Sequence, residues 1–146
     1  MNSNVLIPPK FIESKYSINF EKFVGSKLYE YSIDNEWVYG FQTNVDRHQN
    51  QGGSIHGGVL MTAIDHILAM NILRQANPPN RIATIQLNSY FVSRGIAGKF
   101  VIARPKIIRK TRDVIFVEGS LLHGNYEFYH ARGIWKIIQE GSRPAG

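Results

Sequence analysis

The apolar positions of this chain follow two different periods, and the change between them marks its elements. From Gly58 to Leu73, eleven of sixteen residues are Val, Leu, Ile, Met or Ala, none is proline, and Asn77-Pro78-Pro79-Asn80 closes the run. Sixteen residues is too long for a buried strand, so the run predicts a helix. A helix apolar on nearly every side must be covered by other elements. Elsewhere the pattern is that of strands. Lys27–Ile33 and Glu36–Thr43 are rich in Tyr, Val, Phe and Trp and flank Asp34-Asn35, which predicts a β-hairpin. Val45–Gly57 is polar and glycine-rich and reads as a loop.

Four more strands are expected at 82–92, 99–110, 113–123 and 126–138, the last after the turn signal Gly124-Asn125. In the first of these, Ile85, Leu87 and Phe91 are expected on one side and Thr84, Gln86 and Asn88 on the other. Short connections imply an antiparallel meander. The predicted class is therefore α+β: one long antiparallel sheet of six strands curved around a single greasy helix. Residues 1–22 read as an arm with a short helix somewhere in Lys10–Phe23, residues 23–140 as one domain, and residues 141–146 as a flexible tail.

Composition narrows the chemistry. The chain has 146 residues and no cysteine, which excludes disulfides, thiolate-bound metals and a thiol nucleophile. Its histidines lack metal-ligand spacing, so no metal is expected; His48, His66, His123 and His130 read as ordinary polar positions. No apolar run approaches the ~20 residues that span a bilayer, and the first ten residues do not resemble a secretory signal. A cytoplasmic protein without membrane insertion is expected. The net charge of +6 is uneven: residues 1–80 carry 6 basic and 7 acidic side chains, residues 81–146 carry 11 and 4. Arg104, Lys106, Arg109, Lys110 and Arg112 fall within nine positions, a patch suited to an anionic partner or a solvated strand edge.

The segment that carries chemistry is Asn50-Gln51-Gly52-Gly53-Ser54-Ile55-His56-Gly57-Gly58, followed by the helix holding Asp65. Glycines before a helix admit a ligand close to the backbone. The helix start offers free N–H groups and a positive dipole end, an oxyanion hole in outline. No phosphate-loop Lys-Ser/Thr and no Gly-x-Ser-x-Gly elbow is present. An acid within a buried helix needs either a basic partner, such as His66 or a sheet arginine, or a task. The task would be general base or nucleophile, with a pKa raised toward neutrality by desolvation. His56 and Asp65 are nine residues apart, on opposite faces of a helix and about 13 Å apart along it. If both act, the site is shared between two subunits.

The pattern Asn50-x-x-Gly53-x-x-His56-Gly57-Gly58, then Asp65 seven residues on, resembles the hotdog-fold thioesterases. More narrowly it resembles their phenylacetyl-CoA thioesterase-like branch of small acyl-CoA thioesterases. The strand Thr84-Ile85-Gln86-Leu87-Asn88-Ser89-Tyr90-Phe91 matches the family's Thr-x-x-Leu-x-x-x-Phe. The resemblance implies a dimeric or tetrameric hydrolase of acyl-CoA thioesters with no cofactor beyond the CoA of its substrate. It implies Asp65 as catalytic carboxylate and the Gly57 N–H as polariser of the thioester carbonyl. His56 and Asn50 would orient substrate or water, with Thr84 beside the carboxylate. Gly58, and Arg109, Lys110 and Arg112 for the CoA phosphates, complete the expected site. Two departures stand out: Arg94 replaces a common proline, and Thr111-Arg112 replaces a common Gly-Arg. The alternative is an acyl-CoA-binding sensor that does not hydrolyse; a hydratase of the same fold lacks its His-centred segment here, and nucleic-acid binding is not expected.

Overall fold

In the computed structural model, which describes residues 5–15, 19–75, 77–139 and 141, the chain runs β1 (Ile12–Glu13), α1 (Asn19–Val24), β2 (Leu28–Ile33), β3 (Glu36–Gln42), α2 (Val45–His48) and α3 (Gly57–Leu73). It continues β4 (Ile82–Tyr90), β5 (Phe100–Lys110), β6 (Val114–His123) and β7 (Tyr126–Ile137). Asp34 and Asn35 both take positive φ, 51° and 63°, the turn whose twist suits a two-residue hairpin, and β2 and β3 pair from Leu28↔Phe41 to Ile33↔Glu36. The expected short helix is α1. The predicted loop before α3 holds one turn of helix, α2, started by Asn44 accepting from the Arg47 N–H. Residues 1–4, 16–18, 76, 140 and 142–146, including nearly all of the expected tail, lie outside the described residues.

The sheet is antiparallel throughout, but its order is β1-β2-β3-β5-β6-β7-β4. Two expectations are corrected. There are seven strands among the described residues, because β1 adds Ile12↔Glu30 and Glu13↔Tyr29 to the edge. And β4 does not continue a meander into β5; it pairs with β7 at the far edge. The segment between them, residues 91–99, permits this. Nine residues reach up to about 30 Å, and three strand spacings need about 14 Å.

A bulge corrects the predicted alternation of β4. Thr84 pairs with Trp135 and Gln86 with Ile134, leaving Ile85 as an extra residue. Parity therefore shifts within the strand: Thr84 faces α3, Ile85 is 56% exposed, and Leu87 packs on the core.

The core gathers on α3. Ile64, Ile67, Leu68 and Ile72 are buried with Val101, Ile115, Val117, Leu121 and Trp135 of the sheet. Each such side chain stabilises the fold by about 1.5–3 kcal/mol at most. A second cluster covers the outer face of the sheet's other half, where Phe11 of the N-terminal segment packs edge-on against Tyr31 and Phe100. The covering of α3 is incomplete in the single chain. Gly58, Met61 and Leu73 are exposed and Asp65 and Ala69 half-buried, so one stripe of the helix stays open. The sheet ends at β4 on one side of this stripe. On the other side α1 is docked through Glu21, whose Oε1 lies 3.2 Å from His66 Nε2.

Candidate active site at the start of the central helix

The loop leading into α3 is tied by its own backbone. Asn50 N–H donates to Ser54 O (2.8 Å) and Gly53 N–H to Asn50 O (3.0 Å). Asn50 Oδ1 accepts from the Ser54 N–H at 3.0 Å. Gly53 sits at φ +76°, where a side chain is strained and a Cβ would stand 2.6 Å from Arg94 Nη2. Asn50 therefore shapes the loop in this chain, and the expected role of orienting water would fall to its remaining amide N–H groups.

Residues 91–97 hold that loop from outside. Ser54 bridges to Ile96, Ile55 N–H donates to Gly95 O (2.9 Å), and Arg94 Nη2 donates to Gly52 O (2.9 Å). Arg94, noticed in the sequence only as a departure, thus clamps the glycine loop. Behind it, His123 Nε2 accepts from the Ile96 N–H (2.9 Å), so its Nδ1 carries the proton toward Phe100 O. His48 likewise accepts from the Asn44 N–H on Nδ1 and meets Val24 O with Nε2, and its own carbonyl accepts from the His56 N–H. Burial holds the pKa of both histidines below the usual imidazole value.

The first N–H groups of a helix have no intrahelical acceptor, and at the start of α3 nearly all of them are met in other ways. His56 is the N-cap, and its Nδ1 takes the Gly58 N–H at 3.0 Å. Val59 and Leu60 both donate to His56 O. That leaves the Gly57 N–H, which has no acceptor among the described residues. The Phe91 ring lies beside Gly57, 3.0 Å from where its Cβ would stand. The sequence pattern includes Phe91 as a strand residue but does not place it beside Gly57, because that proximity depends on the path taken after β4. With Nδ1 accepting, neutral His56 carries its proton on Nε2, which is exposed. The Gly58 N–H is engaged and not free for a ligand in this arrangement.

Asp65 lies about two turns further along α3. Thr84 Oγ1 donates to its Oδ1 at 3.0 Å, and Oδ2 has no hydrogen-bond partner among the described residues. The carboxylate is half-buried on the open stripe, not enclosed as the all-apolar run suggested. Neither His66 nor a sheet arginine pairs with it: His66 is turned toward Glu21. The structure thus brings Asp65 to Thr84, and Asn50, His56, Gly57 and Gly58 together, as two groups separated along one helix.

The basic cluster is divided by strand alternation. A second bulge, at Ile108, leaves Arg109 opposite Phe116 and Lys110 opposite Ile115. Ile115 is buried against α3, so Lys110 is on the helix side, where its Nζ donates to Asn77 O at 2.5 Å. Arg109 is on the outer face beside Ile108, Phe116 and Ile134. Arg112 is exposed in the β5–β6 turn. The three do not form one cluster. The register does place Lys110 in the row Thr84–Trp135–Ile115–Lys110, about 14 Å across three strands from Thr84.

Residues 52–125 match the family model described as the thioesterase superfamily. Solved structures share the architecture. A zebrafish thioesterase superfamily member 2 superposes with a TM-score of 0.73 at 20% identity, over 84% of this chain and 89% of its own. A Ralstonia eutropha phenylacetic acid degradation-related protein gives 0.71 at 19%, over 83% and 92%. A Bacillus halodurans protein solved with CoA gives 0.73 at 17%, over 89% and 83%. The shared fold is the hotdog fold. No curated protein matches the chain. Among the described residues no helix is long and apolar enough to cross a membrane.

Proposed function

The chain belongs to the thioesterase superfamily, and on that footing we propose that it hydrolyses an acyl-CoA thioester in a site completed by a second subunit. The observation that carries the reading is the N–H of Gly57. It is the one donor of the first turn of α3 left without an acceptor among the described residues, and it stands at the positive end of the helix dipole. Negative charge that develops on a thioester oxygen in the tetrahedral state is stabilised there.

Asp65 supplies the attack. Thr84 holds Oδ1, leaving Oδ2 to take a proton from water or to attack the carbonyl carbon itself. On the water route, a C–O bond forms as the proton passes to Asp65. The C–S bond then breaks, and the proton leaves with the thiolate. On the covalent route Asp65 attacks the carbonyl carbon, the C–S bond breaks as the thiolate leaves, and water then hydrolyses the acyl–Asp65 anhydride to the free acid, with its spare proton going to the thiolate. His56, with its Nε2 proton outward, and Asn50 are the groups beside Gly57 that would orient substrate or water.

Asp65 and Gly57 are about 12 Å apart along their own helix, so one reaction centre takes its carboxylate and its oxyanion donor from different subunits. The unpaired edge of β4 and the open stripe with Met61 and Leu73 support a two-fold dimer through this face. The test is hydrolysis of short-, medium-, long-chain and aryl acyl-CoAs by the purified protein, with Asp65→Asn as control. Activity lost in the variant supports the reading, and an inert wild type overturns it. A solution mass near that of one chain would overturn the shared site.

A further inference from the structure

β3 leaves β5 early. The two strands pair only from Tyr39↔Ala103 to Gln42↔Phe100, so the hairpin tip swings off and the β5 edge from Arg104 to Ile107 has no strand beside it. Pro105, which has no N–H to offer a neighbouring strand, sits in this edge. The gap is a cleft of about 640 Å3, within the range of small-molecule sites. Alternation turns Pro105 and Ile107 to the helix side and Arg104 and Lys106 to the outer side. The cleft therefore runs past the free edge from the end of α3 to the outer face. It is separate from the groups around Gly57 and Asp65: Asn71, on its inner wall, is about 9 Å along and about 240° around the helix from Asp65.

The inner end is polar and built. Arg74 Nη2 meets Glu30 Oε1 at 2.5 Å, and its guanidinium lies 4.0 Å from the Trp37 ring centroid. Around this pair stand buried polar groups with no hydrogen bond among the described residues: Glu30 Oε2 and the Tyr39 hydroxyl. Asn71 lines the cleft, is only 5% exposed, and its side-chain amide has no hydrogen-bond partner among the described residues. Asn71 therefore presents its amide to whatever fills the cleft. At the outer mouth, Arg104 and Lys106 are about 7 Å apart on one face of β5. Neither side chain has an ion pair or hydrogen bond among the described residues. Two acids also line the cleft: Glu118, opposite Lys106 in register but held by Arg132 at 3.0 Å, and Glu36 at the hairpin tip.

We infer that this cleft is a second ligand site, one that takes a phosphate-bearing small molecule with its phosphate on Arg104 and Lys106 and a polar group on Asn71. It is independent of whether the chain hydrolyses thioesters. Two sources share the chemistry, the phosphates of CoA and a free phosphorylated metabolite.

The experiment titrates pyrophosphate, and separately CoA, into wild-type protein, Asp65→Asn, Arg104→Ala/Lys106→Ala and Asn71→Leu, followed by calorimetry and by tryptophan fluorescence, with Trp135→Phe isolating the signal of Trp37. Arg104 and Lys106 are on the outer face of the strand, so the double variant should fold as wild type. Saturable pyrophosphate binding is expected in wild type and Asp65→Asn, weaker by about tenfold or more in the double variant, a loss of about 1.4 kcal/mol or more. Asn71→Leu should weaken binding of CoA more than that of pyrophosphate. CoA that competes with pyrophosphate identifies the nucleotide end of CoA as the source; CoA that does not compete identifies a free metabolite. No saturable binding of either probe, or binding indifferent to the double variant, overturns the inference. Acyl-CoA hydrolysis scored in parallel separates that result from failure of the catalytic reading.

Discussion

Thr84 donates its hydroxyl to Asp65 across 3.0 Å, from the last position before the bulge at Ile85. A regular strand that buries Leu87 against the core also turns Ile85 inward and Thr84 outward. The extra residue lets one strand bury Leu87 and still aim Thr84 at the carboxylate.

Thr84→Val keeps the shape and removes the donor. Hydrogen bonds to charged groups contribute about 1.5–3 kcal/mol, so kcat/KM for acyl-CoA hydrolysis should fall by roughly tenfold to a hundredfold. Thr84→Ser should restore most of it. Equal rates for the wild type and both variants would show that Asp65 needs no orienting donor.

Arg94 acts through the loop it clamps. Arg94→Met removes the bond to Gly52 O and should lower kcat several-fold with little change in KM. Amides of residues 50–57 should exchange faster with deuterium, since the loop loses a tether. A raised KM at unchanged kcat would instead show that the guanidinium meets the substrate.

Acid should loosen the same scaffold. His48 and His123 accept backbone N–H groups while neutral, and burial lowers the pKa of each in the folded protein. Below the ordinary imidazole value of about 6.5, the unfolded chain binds protons that the folded chain refuses, so stability falls as pH falls. The decline begins near that value and levels only below the lowered folded pKa values. Melting temperatures between pH 7.5 and 5 should trace this fall, and His123→Gln should flatten it. A flat wild-type profile would contradict the neutral, accepting state of both rings.

Two glycines near the site should respond differently to alanine. At Gly95 a Cβ would stand 2.6 Å from the fully buried ring of Phe128, and such overpacking costs about 1–3 kcal/mol. At Gly57 the nearest atoms, 3.0 Å away, belong to Phe91, whose ring is 56% exposed although one edge meets Tyr129. Urea unfolding should show a large loss for Gly95→Ala and a small one for Gly57→Ala. Similar losses would mean that Phe91 is more firmly held than its exposure implies.

Much of the site was legible because it is local. Asn50, His56, Gly57 and the helix start lie within eight residues, and capping and turn chemistry act over that distance. Thr84 was recovered through the family pattern, although the regular alternation expected of its strand does not hold. Phe91 and Arg94 reach the loop only through the path of residues 91–99 across the end of the sheet. The polar cleft was invisible: Trp37, Arg74, Asn71 and Lys106 meet there from segments far apart in the chain.

By itself the sequence determined the central helix, the first hairpin, the four strands that follow the helix and the acid set among apolar neighbours. Each rests on a period or a turn preference expressed within one segment. Tertiary structure decided the rest. It sent β4 to the far edge, moved Thr84 to the inner face by one extra residue, divided Arg109 from Lys110, and opened β5 where β3 departs. Those outcomes depend on which strands pair and in what register, and that is set by burying surface between segments far apart in the chain.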